Sequence, residues 1–112
     1  MLGRCLDALR AELTDRDEIV VVDSASADPA AVAAVANRAG VRLERCSHAG
    51  ASLARNTGWR AASHQLVGFV EVDVWGRPGW AAALVAAFAD PGVEFVTGRV
   101  VVPDDQRDAE RP

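Results

Sequence analysis

Lysine and tyrosine are both absent from these 112 residues, and the absence of lysine closes off whole classes of chemistry. Without lysine no P-loop can set an ammonium on a phosphate and no Schiff base can form; all twelve cations are arginine. Cysteine is scarce, and Cys5 and Cys46 fit neither a zinc nor a CxxC pattern, so free thiols in a reducing compartment are expected. No run of about 18 apolar residues exists to span a membrane. Arg4, Asp7 and Arg10 interrupt the N-terminus where a signal peptide needs an apolar core. Basic runs are missing too, and with a net charge of -4 a dedicated nucleic-acid binder is not expected. The expectation is a soluble, cytoplasmic chain.

What remains is a globular balance, with 50% hydrophobic and 25% charged residues, in a length suited to one core. Leu2, Leu6, Leu9 and Leu13 recur at helical spacing, so the chain opens on an amphipathic helix. The β-branched run Ile19 to Val22 between Glu18 and Asp23 reads as a strand. Asp28 is a good N-cap, Pro29 suits a first helical turn and Gly40 a C-cap, which predicts a second helix over Pro29 to Ala39. Val41 to Arg45 alternates as a strand exposed on one face, near a sheet edge. A third helix runs from a Ser52 cap to about Ser63, with Asn56 and Gly58 in its middle; neither is favoured there, so Gly58 is read as a point of close approach, with Arg55 and Asn56 as ligand-facing candidates or an ordinary wet side. His48 and His64 are read as surface residues.

Leu66 to Asp73, Leu-Val-Gly-Phe-Val-Glu-Val-Asp, has the nearly continuous apolar character of a parallel strand covered on both faces. Glu71 and Asp73, two apart at its C-terminal end, then share one face. In open α/β sheets that end faces the ligand crevice, and acidic oxygens are hard ligands for a divalent cation or sugar hydroxyls. Spacing alone equally allows a strand end that faces water. Pro78 to about Ala89 is predicted helical with Trp80, Leu84 and Phe88 on a core face, Asp90-Pro91-Gly92 stops it, and Glu94 to Val102 is strand-like. Residues 104–112 are expected to form a polar disordered tail. The alternation of helix and strand predicts an α/β sandwich with a mainly parallel sheet.

Four segments, in order, carry a resemblance: Glu18 to Asp28, Gly50 to Gly58, Val67 to Asp73 and Val96 to Pro103. Together they resemble the nucleotide-sugar-binding half of family 2 glycosyltransferases. The resemblance implies a Rossmann-like GT-A nucleotide-diphospho-sugar transferase fold, here a partial three-layer sandwich over residues 1–103. It also implies a nucleoside-diphosphate sugar donor, Mg²⁺ or Mn²⁺, and transfer to an acceptor hydroxyl. Asp23 would accept hydrogen bonds from the nucleobase, Arg55 would lie beside base and phosphates, Glu71 would reach the ribose and Asp73 would hold the metal. Glu71 stands where the family's DxD-type motif has its first Asp, and the longer side chain makes the ribose contact the less secure of the two.

Against that pattern the chain looks truncated at both ends. The family's opening strand, with its base-stacking aromatic, is missing, and it would lie centrally in the sheet. Strand edges left unpaired there favour self-association. The acceptor-binding half that supplies a general base is missing as well, so the catalytic residue is unassigned and little turnover is expected from these residues alone. Asp104, Asp105 and Asp108 read as solvated. The competing reading is a non-catalytic glycosyltransferase remnant that binds a nucleotide or a partner. A receiver-like domain fits Asp23 and Asp73, but such domains need a lysine.

Overall fold

The computed structural model describes residues 1–74 and 76–99. Its elements in order are α1 (Leu2–Glu12), β1 (Val20–Ser24), α2 (Pro29–Ala39), β2 (Arg42–Cys46), α3 (Ala51–Ala61) and α4 (Trp80–Ala87). They divide into two compact units, residues 1–76 and 77–112.

The first unit is built on a parallel pair of strands, β1 beside β2, in the register Val20↔Arg42 to Ser24↔Cys46. Side chains alternate across this pair. Val21 and Asp23 are buried on one face of β1, while Val22 and Ser24 face α3, where the position of a Cβ on Gly58 lies 3.1 Å from Val22 Cγ2. β2 divides likewise: Arg42 Nη1 donates to the Ala61 carbonyl at 2.9 Å, and Cys46 Sγ lies 3.4 Å from Thr57 Oγ1. Both α2 and α3 pack on both strands and not on one another, which puts them on opposite faces. The result is a helix, sheet, helix sandwich of α/β class. α1 packs on α2, buries Cys5 and Leu6, and is tied to its end by Arg10 Nη2 on the Ala39 carbonyl at 3.1 Å. Both cysteines are free and buried, as expected.

Local chemistry sets the element ends. Asp28 accepts from the Ala31 N–H at 3.1 Å and Gly40 closes α2 in the left-handed region at φ 67. α3 departs from expectation at its start. Gly50, not Ser52, is its N-cap and supplies no side chain. Inside α3, Asn56 accepts from Trp59 Nε1 at 3.3 Å, so its amide serves the helix's own exposed side. The Arg60 guanidinium sits 5.9 Å from the same ring's centroid.

The main correction concerns Leu66 to Asp73. These residues form no strand. The segment is loop ending in a turn, with the Val74 N–H bonded to the Glu71 carbonyl at 3.2 Å, so Glu71 and Asp73 flank Val72 in a turn rather than sharing a strand face. A strand exists only through a neighbour that takes its N–H and C=O groups. Among the described residues the sheet has two strands and none beside this segment. Its apolar side chains are consequently open to solvent, Phe69 at 57% and Leu66 at 48%.

In the second unit α4 begins at Trp80 rather than Pro78, because Gly79 at φ 88 breaks the turn ahead of it. Trp80, Leu84 and Phe88, expected on a core face, are only half-buried; no residue of α4 is buried and Val85 is exposed. Asp90 ends the helix region, its Oδ1 taking the Gly92 N–H at 2.9 Å. Residues 94–99 are not a strand either; the remainder of that expected strand and the expected tail of residues 104–112 lie outside the described residues. No helix among the described residues is long and apolar enough to cross a membrane.

Candidate functional site

The C-terminal ends of β1 and β2 open onto two loops, Ala25 to Asp28 and Ser47 to Gly50. Asp23 sits at the first of these and is only 5% exposed. It is held by local bonds: Oδ1 takes the Ser26 N–H at 2.9 Å, and Oδ2 takes Ser26 Oγ at 2.9 Å and Arg45 Nη1 at 3.5 Å. The register explains the arginine, since Asp23 and Arg45 are direct partners across the parallel pair and so share a face. The Ser26 amide and hydroxyl, then Arg45, hold the Asp23 carboxyl below its ordinary range against the opposing effect of burial. A carboxylate accepts about four hydrogen bonds; three are used here.

The loop that begins there is strained. Ala25 has φ 54, a left-handed conformation costing a non-glycine residue roughly 1–2 kcal/mol. Ser26 on Asp23 closes the turn around it. Ser24 points the other way, to the α3 side, where its Oγ accepts the Gly50 N–H at 3.2 Å. That bond joins the end of β1 to the start of α3, satisfying one of the N–H groups that every helix start leaves open.

Arg55 stands five residues into α3 numbering from Ala51, and its Nη2 lies 3.3 Å from Glu71 Oε1. Both side chains are more than half exposed. An ion pair so solvated contributes only ~0.2–1 kcal/mol, so a ligand anion can displace Glu71 from the guanidinium at small cost. Asp73 is exposed and has no ion-pair partner among the described residues. Sequence reasoning thus named two residues that the structure joins, Arg55 and Glu71. Asp23 lies on the other face of the sheet, and no bond among the described residues joins it to either of them. Sequence reasoning did not single out Ser24, Ser26 or Arg45; the signal for Ser24 and Arg45 was present in the alternation of β1 and β2 once the register is known, whereas Ser26 lies in the loop after β1.

A metal would find few protein ligands. Among the described residues no three His, Cys, Asp or Glu side chains are grouped to hold one.

The glycosyl transferase family 2 profile matches residues 1–112. Two curated relatives, each named "Pre-mycofactocin glycosyltransferase" and from Mycobacterium tuberculosis strains CDC 1551 / Oshkosh and ATCC 25618 / H37Rv, are 42% identical over 52 residues, covering 46% of this chain and 11% of theirs. The matched region thus spans about a tenth of the length of those relatives. No solved structure matches significantly. A profile match over the whole length, on a parallel α/β sandwich with its polar residues gathered at the strand ends, places this chain in glycosyl transferase family 2.

Proposed function

We propose that this chain is the nucleotide-sugar-binding part of a glycosyltransferase, one that moves a sugar from a nucleoside diphosphate donor to an acceptor hydroxyl. The observation that carries the proposal is the Arg55–Glu71 pair. It brings a guanidinium against the carboxylate-bearing turn, so a cationic and an anionic recognition group meet at one exposed place. A diphosphate needs the first. A ribose hydroxyl or a cation suits the second.

In this reading Arg55 exchanges Glu71 for phosphate oxygens, and the freed Glu71 turns to the ribose. Asp73 would hold Mg²⁺ or Mn²⁺, and such a cation, when bound, would offset the negative charge that builds on the leaving diphosphate. Arg55 contributes in the same sense with a charge that stays on at every accessible pH. We assign no general base. The two buried, unpaired thiols fit the proposed cytoplasmic setting.

Calorimetry with UDP or GDP and Mn²⁺ tests the site. The full chain should bind the nucleotide in a metal-dependent way, and Asp73→Ala should abolish the metal dependence. Arg55→Ala should weaken binding about tenfold or more, as loss of a charge-assisted bond to phosphate does. An Asp73→Ala variant with unchanged affinity would remove Asp73 from the site. Nucleotide binding with no transfer, even when the acceptor half is supplied, would favour the non-catalytic remnant.

A further inference from the structure

At the opposite end of α3 from Gly50, three side chains outside that site meet. Glu18, in the loop leading into β1, takes the Ser63 N–H on Oε1 and Ser63 Oγ on Oε2, the latter at 2.8 Å. His64 lies beside it. Its Nδ1 is 3.3 Å from Glu18 Oε1, and its Nε2 is 2.8 Å from the Arg16 carbonyl oxygen. Both partners of the ring are acceptors. A neutral imidazole carries one N–H and can satisfy only one of them, whereas the imidazolium donates to both.

We infer that His64 is a proton-operated clasp: protonated, it ties the Arg16 to Glu18 loop to the root of the 64–74 segment, and on losing its proton it gives up one of the two bonds. The clasp lies between residues 46 and 48 positions apart in sequence, and the segment it anchors is the one that carries Glu71 and Asp73. The charged groups around the ring are accounted for. Glu18 and Asp17, both in the loop, favour its charged form. From β2, Arg42 binds the Ala61 carbonyl, and Glu44 Oε1 sits 2.9 Å from its Nη2, so its charge is already countered. The inference stands whether or not the chain binds a nucleotide sugar.

The direction with pH follows from both partners. Glu18 raises the His64 value above the ordinary 6.5, and the Arg16 carbonyl adds to this. A raised histidine stabilises the fold fully below 6.5 and loses that contribution as pH climbs through the folded value. Glu18 runs the other way: the Ser63 amide and hydroxyl, then His64, pull it from 4.5 to about 2. Its contribution is complete above 4.5 and fades as pH falls toward about 2. The clasp is therefore tightest between those two ordinary values and loosens on either side.

Histidine ring NMR on the full chain tests it, together with melting curves from about pH 5 to about pH 8. We expect His64 to titrate above 6.5 and to move down toward that value in Glu18→Gln. His64→Gln keeps a donor but cannot titrate, so the drop in wild-type melting temperature across that range should shrink in this variant. A His64 titration at or below 6.5 overturns the inference, as does an identical pH slope in wild type and His64→Gln. Should either variant fail to fold, the wild-type titration still decides.

Discussion

Gly58 shows how much one missing methyl can carry. An interior helix glycine is disfavoured by roughly 1 kcal/mol relative to alanine, so Gly58→Ala looks favourable from sequence alone. The added Cβ would stand 3.1 Å from Val22 Cγ2, closer than a carbon pair sits at its optimum. Val22 is β-branched and lies within β1, so it has little rotamer freedom with which to yield. We expect overpacking, which costs about 1–3 kcal/mol, to outweigh the helix gain, giving a lower melting temperature. Val22→Ala should relieve it, so that Gly58→Ala becomes stabilising in that background; equal effects in both backgrounds would mean the contact is not limiting. Asp23 makes a second case. Its low pKa arises first from the Ser26 N–H and hydroxyl, so its stabilising effect is present above its ordinary value of 3.8 and is lost as pH falls below it. Ser26→Ala removes one of those bonds and leaves the amide. The acid unfolding midpoint of Ser26→Ala should therefore move to higher pH, and an unmoved midpoint would deny Ser26 that role.

At the scale of elements, the parts legible in sequence are those whose causes are local. α2 runs from Pro29 to Ala39 with Asp28 and Gly40 at its ends, as the capping residues imply, because a cap is chemistry between residues three or four apart. Gly40→Ala, at φ 67, should cost about 1 kcal/mol, and Asp28→Ala a similar amount. Denaturant midpoints check both, and a change within ±0.5 kcal/mol would show the caps to be idle. α1, β1, β2 and α3 were legible for the same reason, to within a few residues. Leu66 to Asp73 was not, although its composition is the most strand-like in the chain. β character resides in side chains, whereas a strand also needs a partner at the right distance, and that is a long-range fact. The candidate site divides along the same line. Arg55, Glu71 and Asp73 were readable as residue types, but the Asp23–Arg45 and Ser24–Gly50 bonds depend on register and on where α3 begins. Sequence order does not state either.

For the whole molecule, the unpaired stretch is the feature with the widest consequence. Leu66, Val67, Phe69, Val70, Val72 and Val74 are each at least 40% exposed. They run in one continuous segment, and one edge of β1 has no strand partner among the described residues. A long apolar stretch and an open edge are the two ingredients of strand pairing between molecules, and a patch of this kind on a lone chain marks an interaction surface. The full chain should accordingly self-associate, its weight-average mass in sedimentation rising with concentration. Phe69→Glu puts a charge at the most exposed of these apolar positions, where pairing would have to bury it. It should shift the chain toward monomer while leaving the melting temperature of the monomer nearly unchanged, because Phe69 is already open to solvent. A wild type that stays monomeric at the highest attainable concentration would mean that the exposed run is tolerated by itself, and the segment would then have to be held by contacts within its own chain.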